Sequence, residues 1–245
     1  MLNRGRPSPL IYARVAGTLG LIMLASGSFA ASVHARLVVP GDAATTARNI
    51  LASEWLFRCG IVSGLAMYVA FVLYVSVLYK LLRPADQDHA ALMVVLALLG
   101  VPIAMLNQVN QSAALLLLSD AEYLKAFGVD QVHAQVMLFL GLHRHGGLVG
   151  VIFWGLWLFP LGLLVFKSGF FPRVLGVLLM IGCVGWLIVP IQRFLFPGCE
   201  VLAYSRFAAH IAELSWMGWL LTRGVDVEKW ETASRGSSGS GARPG

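Results

Sequence analysis

Six long apolar stretches follow one another along this chain, separated by short segments in which polar and basic residues collect. The apolar residues run on continuously instead of alternating with polar ones, which is typical of buried helices and not of barrel strands. Several stretches exceed the ~20 residues that a helix needs to cross ~30 Å of hydrocarbon. The pattern predicts six membrane spans, roughly residues 10–31, 54–79, 89–118, a segment within 132–166, 172–190 and 204–221.

The composition agrees with a lipid environment. Hydrophobic residues make up 58% of the 245 residues, charged residues only 12%, and the mean hydropathy is +0.77. Soluble domains have about 45–50% apolar and about 25% charged residues. Only helices and closed barrels satisfy their backbone groups in hydrocarbon. The sequence therefore predicts an all-α integral membrane bundle whose main partner is the lipid bilayer.

The net charge of +6 arises from basic residues that stand singly at the ends of apolar stretches. This placement is typical of orientation signals, whereas nucleic-acid binding requires a basic stripe, so we exclude a nucleic-acid partner. Basic residues favour an orientation with both termini inside. We expect residues 1–9 to be a cytoplasmic N-terminus, 10–224 the six-span domain and 225–245 a disordered, Gly/Ser-rich cytoplasmic tail.

Three features of the chain admit alternatives. Residues 1–30 also resemble a signal peptide that ends in Ser28-Phe29-Ala30, and cleavage there would leave five spans. The third and fourth stretches are longer than a membrane needs, so they either extend beyond it or break at Pro102 and at Gly146-Gly147. A surface helix is predicted over 120–127. A disulfide between Cys59 and Cys199 is an alternative to simple packing of both residues.

The first loop contains the turn sequence Val39-Pro40-Gly41-Asp42. Asp42 or Thr45 is predicted to cap a short helix that leads to Trp55.

A run from Phe153-Trp154-Gly155 through Pro160 to Gly162, continued by Pro172-Arg173, is the most particular part of the sequence. Together with the first-loop turn, the Tyr79-Lys80 segment and the stretch 213–224, it resembles the signature of a bacterial membrane family, domain-of-unknown-function family 4386. The resemblance covers about residues 10–224. It implies a multi-pass helical fold that retains the first span, in the cytoplasmic (inner) membrane of a bacterium, and it implies no activity.

The sixth predicted span contains three ionisable residues, Arg206, His210 and Glu213, spaced four and three apart. This spacing places them on one helix face. Glu213 is roughly 13 Å into the span at ~1.5 Å per residue, which is near the midplane. A carboxylate at that depth must be paired, hydrogen-bonded or protonated, so it is a functional candidate.

Further polar residues collect at the outer ends of neighbouring spans, which predicts an outward-facing polar pocket centred on Glu213. Such a pocket would bind or transport a small ligand or a proton. The predicted ligand-binding residues are Glu213, His210, Arg206, Asn107, Asn110, Gln111, His143 and His145. The simpler alternative is ordinary polarity at the span boundaries together with one structural contact of Glu213.

Two other classes of function are possible for such a chain, a metal- or haem-dependent enzyme and a structural or accessory subunit. A metal-dependent enzyme would use His210 and Glu213 with a further histidine, and a haem would need facing histidines such as His145 and His210. His143 and His145 diverge on a helix, and HExxH, nucleophile-elbow and nucleotide-binding motifs are absent. We therefore predict no catalytic residue, no metal ligand and no cofactor, and favour a non-enzymatic role.

The other class is a structural or accessory subunit that associates with copies of itself or with a membrane partner. The motifs Gly60xxxGly64 and Gly146xxxGly150 would then serve as helix-contact faces, because small residues let helix backbones approach closely.

Overall fold

A computed structural model describes residues 8–119, 122, 126–196, 198 and 204–240, with side chains as far as residue 236. The described chain is α-helical and contains no strand, which confirms the all-α fold class. Its helices in chain order are α1 (Pro9–Leu37), α2 (Ala43–Ala52), α3 (Glu54–Leu82), α4 (Gln87–Asn107), α5 (Val109–Leu117), α6 (Val129–Leu156), α7 (Leu158–Ser168), α8 (Arg173–Leu195), α9 (Ser205–Thr222) and α10 (Val227–Ser240).

Within the described residues, five helical segments are long and apolar enough to cross a membrane. They are Pro9–Leu37, Glu54–Leu82, Gln87–Leu117, Val129–Ser168 and Arg173–Leu195. The predicted sixth span corresponds to α9, whose 18 residues include Arg206, His210 and Glu213. These three residues lower the mean hydropathy of α9, and the helix is not among the five segments. The sixth span therefore stays a prediction, and so does the orientation of the bundle.

The two longest stretches are interrupted, but not at the positions predicted from sequence. Pro102 lies inside α4 and Gly146-Gly147 inside α6, whereas the interruptions are at Gln108 and Trp157. Trp157 stands three residues before Pro160, which lacks the amide hydrogen that would bond to the preceding turn. At Gln108 the chain tightens, because the Gln108 amide bonds the Met105 carbonyl only three residues earlier, at 3.1 Å.

The first loop follows its sequence pattern. Gly41 adopts a positive φ of 81°, which a glycine tolerates without steric cost. Asp42 caps α2 by accepting the amide hydrogen of Thr45 at 2.8 Å. This hydrogen bond lowers the pKa of Asp42, since it favours the charged carboxylate. The predicted capped helix is confirmed, and it ends at Ala52, with Ser53 as its C-cap just before α3.

The chain divides into two compact units. The first unit comprises Met1–Leu21, Phe71–Gly100 and Val151–Gly245. In it α8 packs against both α7 and α9. A methyl group added at Gly162 of α7 would lie 2.7 Å from the Gly176 carbonyl oxygen of α8. Glycine at both positions therefore lets these helices approach backbone to backbone.

The second unit comprises Ile22–Ala70 and Val101–Gly150. Its core consists of Val33, Leu37, Ile50, Phe57, Ile61, Ala114, Val136 and Leu140. The two glycine motifs predicted to face a partner are occupied inside this unit. Gly60 packs on Val33 and Gly64 on Gln108, while Gly146 packs on Asn107 and Gly150 on Ala104. Those faces are used by the chain itself, which removes the basis for assigning them to a partner.

The segment after α9, where the sequence predicts a disordered tail, contains a further helix. Residues Val227–Ser240 form α10, although the sequence is rich in glycine and serine there. The Trp230 indole donates a hydrogen bond to the Leu81 carbonyl at 2.7 Å, and the Asp226 amide donates to the Phe170 carbonyl at 3.2 Å. These contacts anchor the helix, and the sequence pattern gave no sign of them. Residues 241–245 lie outside the described chain.

Two other expectations fall largely on residues that the structure does not describe. Most of the predicted surface helix at 120–127 lies outside the described residues, and so does Cys199, the proposed partner of Cys59. Cys59 is half-buried in α3.

Candidate functional site

Glu213 is the ninth of the 18 residues of α9, so it lies at the middle of the helix. Its carboxyl group is surrounded by aromatic side chains of the first unit. The Trp186 indole nitrogen on α8 donates to Glu213 Oε2 at 3.4 Å. The Trp154 indole on α6 also forms a hydrogen bond with the carboxyl group. Two indoles from two neighbouring helices therefore converge on one carboxyl group.

No basic side chain neutralises Glu213 in the part of the chain that the structure describes. The ion pairs found there include Glu54–Arg58, Asp86–His89, Asp226–Lys229 and Glu231–Arg235, none of which involves Glu213. Arg206 lies on the same helix as Glu213 but is exposed and forms none of these pairs. Indole hydrogen bonds stabilise a carboxylate without cancelling its charge.

An aromatic wall extends from this carboxyl group. Phe71 stacks on Trp154 at 4.5 Å between ring centroids, and Trp157 meets Phe71 edge to face at 5.2 Å. Tyr74 lies within electrostatic range of Glu213 and packs edge to face on Trp157. The rings of Phe71, Tyr74 and Trp157 are almost fully buried, whereas Glu213 keeps part of its surface exposed.

His210 lies one turn before Glu213 and packs its ring against Trp186 at 5.0 Å. It is exposed, as is Arg206. His210 and Glu213 thus share the face of α9 that the spacing predicted, and both contact the same tryptophan. Arg206 belongs to the same unit but forms no hydrogen bond with either of them among the described residues.

The predicted amide residues assemble in the second unit, around the interruption between α4 and α5. The Asn107 side chain donates to the His143 carbonyl at 2.7 Å, and Asn110 donates to the Asn107 carbonyl at 3.2 Å. Gln111 Nε2 lies 2.7 Å from His143 Nε2. Asn107, Asn110, Gln111 and His143, all predicted to share a site, therefore form one hydrogen-bonded cluster.

His143 links the interrupted helix to α6 through both ring nitrogens. Its Nδ1 lies 3.2 Å from the Asn107 carbonyl oxygen, which can only accept a hydrogen bond. Its Nε2 faces the amide nitrogen of Gln111, which donates. The contacts fit a neutral imidazole protonated at Nδ1. The cluster thus satisfies a backbone carbonyl that the interruption of the helix leaves free.

Three further residues of this cluster, Gln108, Tyr68 and His34, were not predicted from the sequence. Gln108 is buried, accepts a hydrogen bond from Gln111 at 3.3 Å and bonds the Tyr68 hydroxyl. His34, near the end of α1, has its ring 6.1 Å from that of His143. Its buried Nδ1 has no hydrogen-bond partner among the described residues. The prediction ended the first span at residue 31, and therefore left His34 outside it.

His145 stands apart from the cluster. It is exposed, and its Nδ1 lies 2.9 Å from the Gly141 carbonyl of its own helix. The predicted site residues thus fall into a Glu213 group in the first unit and an Asn107 group in the second. Trp154 and Trp186 were not predicted as site residues, because a tryptophan in a span more often packs against neighbouring helices or lies at the membrane interface.

No group of three or more His, Cys, Asp or Glu side chains is placed to hold a metal ion within the described chain.

The family comparison agrees with the resemblance seen in the sequence. The profile described as "Domain of unknown function (DUF4386)" matches residues 15–224, which is well over half of the chain. The chain belongs to the DUF4386 family. Both residue clusters lie within the matched region, so each is part of the DUF4386 domain.

One relative of this DUF4386 protein is an uncharacterized protein of Archaeoglobus fulgidus, 40% identical over 76 residues. That match covers 31% of this chain and 44% of the relative, so it spans less than half of the relative's length. No solved structure matches the chain. Neither the family description nor the description of the relative names an activity.

Proposed function

We propose that this DUF4386 protein binds a small ligand or a proton inside the membrane, with Glu213 as the binding group. The observation that carries the proposal is the setting of the carboxyl group. Glu213 lies mid-helix with two indole donors, and no basic residue of the described chain pairs with it. A charged group at membrane depth is costly, and such residues commonly mark ligand or proton sites.

The partial exposure of the group supports the same proposal. Glu213, Trp154 and Trp186 each keep some accessible surface, and His210 is exposed beside them. In this proposal the indoles orient the carboxyl group, and the bound ligand or proton supplies the positive charge that the site lacks.

The test uses Glu213→Gln and a matched control, Glu231→Gln. Glutamine keeps the size and an acceptor oxygen but removes the charge. Glu231 lies on α10 in an exposed pair with Arg235. Native mass spectrometry of protein released from mild detergent is expected to show a small-molecule mass on the wild type and on Glu231→Gln. Glu213→Gln should lack it.

A proton as the ligand would add no visible mass, so tryptophan fluorescence is recorded against pH as well. Because two indoles bond the carboxyl group, its protonation should change the fluorescence of the wild type but not of Glu213→Gln. The proposal is overturned when the wild type and Glu213→Gln carry the same masses and show the same pH response.

The accessory-subunit alternative receives no comparable support. The glycine motifs that would have supplied its contact faces are packed inside the second unit. Sequence alone left both roles open, and the occupied glycine faces remove one reason to prefer the accessory role.

A further inference from the structure

We infer that the species bound at Glu213 is a proton, and that His210 passes it between the carboxyl group and the exposed surface of α9. This inference rests on the proposed function, and it names both the bound species and the group that exchanges it. Three observations carry it: the close packing around the carboxyl group, the chemistry of its hydrogen-bond partners and the contact of His210 with Trp186.

The close packing around Glu213 favours the smallest possible ligand. Phe71 and Tyr74 are each 1% exposed and Trp157 is 2% exposed, and their rings pack against one another. These rings therefore present almost no surface to a bound molecule. A proton needs no such surface, because it adds only an O–H bond to one oxygen of the carboxyl group.

The hydrogen-bond partners of Glu213 leave room for a proton but do not supply it. The indoles of Trp154 and Trp186 both donate to the carboxyl group, and an indole N–H is a donor only. A carboxylate has about four acceptor positions, so two indole bonds leave some of them open. The indoles therefore orient the carboxyl group, and the proton must come from another side chain or from water.

Three titratable or charged groups around the site are poorly suited to exchange this proton. Tyr74 of α3 lies within electrostatic range of Glu213 but is closed off from the surface, and a free phenol ionises only at about pH 10. The Cys183 thiol on α8 is buried and bonds the backbone of Phe159. Arg206 on α9 is exposed, but a guanidinium is always charged. The exchange therefore requires a different group.

His210 combines contact with the surroundings of Glu213 and access from outside. Its ring packs on Trp186 at 5.0 Å between ring centroids, and the indole nitrogen of the same tryptophan donates to Glu213. The three-residue spacing places His210 and Glu213 on one face of α9. His210 is exposed, and an imidazole gains and loses a proton near neutral pH. It is therefore placed to take a proton from water and to deliver it to the carboxyl group.

The transfer conserves charge and protons. The imidazolium of His210 loses one N–H bond while an O–H bond forms on Glu213, directly or through one water, and the ring becomes neutral. The exposed ring then takes up a further proton from water, and release of the proton follows the same steps in reverse. Arg206 lies within electrostatic range of His210, so its fixed positive charge repels the imidazolium and favours the transfer.

The first experiment measures proton binding at equilibrium. Infrared difference spectra of detergent-solubilised full-length protein, recorded against pH, report the carbonyl band of a protonated carboxyl group. The wild type and His210→Gln should both show a band that Glu213→Gln lacks, because the substitution at His210 removes the exchanging group but not the carboxyl group. Glu231→Gln is the control for loss of an exposed carboxyl group and should keep this band.

The second experiment measures the rate of exchange. After a rapid pH jump, the tryptophan fluorescence of the wild type should relax as Glu213 changes its protonation state. His210→Gln should slow this relaxation at least about tenfold, since a positioned acid or base accelerates proton transfer by about 10²–10⁴-fold. Imidazole added to the solution should restore part of the lost rate. His145→Gln, which replaces an exposed histidine of the second unit, should relax at the wild-type rate.

The outcomes separate this inference from the proposed function. The role of His210 is overturned by equal relaxation rates of the wild type and His210→Gln, by a slowing that imidazole does not relieve, or by loss of the infrared band in His210→Gln. A copurifying mass that Glu213→Gln loses, without an infrared band in the wild type, overturns the proton and leaves the proposed function standing. Both ideas fall if the wild type and Glu213→Gln behave alike in every measurement.

Discussion

Replacing His143 by alanine should destabilise the second unit measurably. The substitution removes the contact of Nδ1 with the Asn107 carbonyl and that of Nε2 with Gln111. Interhelical side-chain hydrogen bonds in membranes contribute about 0.6 kcal/mol on average, so two are worth roughly 1.2 kcal/mol. Loss of the ring contact with His34 adds about 0.5 kcal/mol. The expected loss in the free energy of unfolding is therefore about 1.5–2 kcal/mol.

His145→Ala is the matched control for this prediction. His145 is the same residue type, two positions further along the same helix, and bonds only its own helix at Gly141. Its replacement should change the free energy of unfolding by less than about 0.5 kcal/mol. The assay is unfolding in mixed micelles of mild detergent and increasing dodecyl sulfate, monitored by circular dichroism.

The reasoning is refuted if both histidine variants lose the same stability, or if His143→Ala stays within about 0.5 kcal/mol of the wild type. A double-mutant cycle with Gln111→Leu tests the assigned bond directly. The cluster predicts a coupling energy of about 0.5 kcal/mol or more between His143 and Gln111, because the two side chains are in contact. Additive effects would show that the contact contributes nothing.

Three further predictions concern helix ends and helix packing. Trp230→Phe removes the hydrogen bond that anchors α10 and should lower the free energy of unfolding by about 1 kcal/mol in the same assay. The same substitution at the exposed Trp55 should leave the free energy of unfolding unchanged. Asp42→Ala should lower the melting temperature at neutral pH, since the cap bond is lost. Because the pKa of Asp42 is lowered in the folded protein, its carboxylate stabilises the fold fully above the unfolded-state pKa. The melting temperatures of Asp42→Ala and the wild type should therefore converge as the pH falls below about 4. Gly162→Ala should lose about 1–3 kcal/mol because backbone atoms of α8 block the new methyl group, while Gly141→Ala, with open space around it, should not.

The fold class was predictable because hydrophobic length and continuity determine it. Continuous apolar stretches of sufficient length must be helices in lipid, and the structure confirms five such segments. The interruptions were less predictable. Pro102 lies inside a continuous helix, whereas the interruption at Gln108 is stabilised by a histidine 35 positions later in the sequence. A proline shows where a hydrogen bond is missing, but not whether the surrounding helices compensate for it.

The site residues were predictable only in part, because helical spacing describes one helix at a time. Helical spacing gives the depth of a residue and the face it shares with its neighbours on the same helix. The shared face of His210 and Glu213 was therefore predicted correctly. Spacing does not tell which helix lies opposite that face, and so the roles of Trp154 and Trp186 were missed. His145 was included because it lies among the polar residues at the outer end of its predicted span, whereas its side chain bonds its own helix.

Glu213→Gln also distinguishes a structural from a functional carboxyl group by its effect on stability. If the carboxyl group serves only to accept the Trp186 hydrogen bond, glutamine offers the same acceptor and should leave both stability and binding unchanged. If the site keeps an uncompensated charge for a cationic ligand, glutamine removes the cost of holding that charge away from water. The variant should then unfold at a higher denaturant concentration than the ligand-free wild type, while losing ligand binding. Glu213→Leu, which removes the acceptor as well, should be less stable than Glu213→Gln. A glutamine variant that keeps the stability of the wild type and retains binding would contradict the charge-based reasoning, because the carboxyl group would then act through its hydrogen bonds alone.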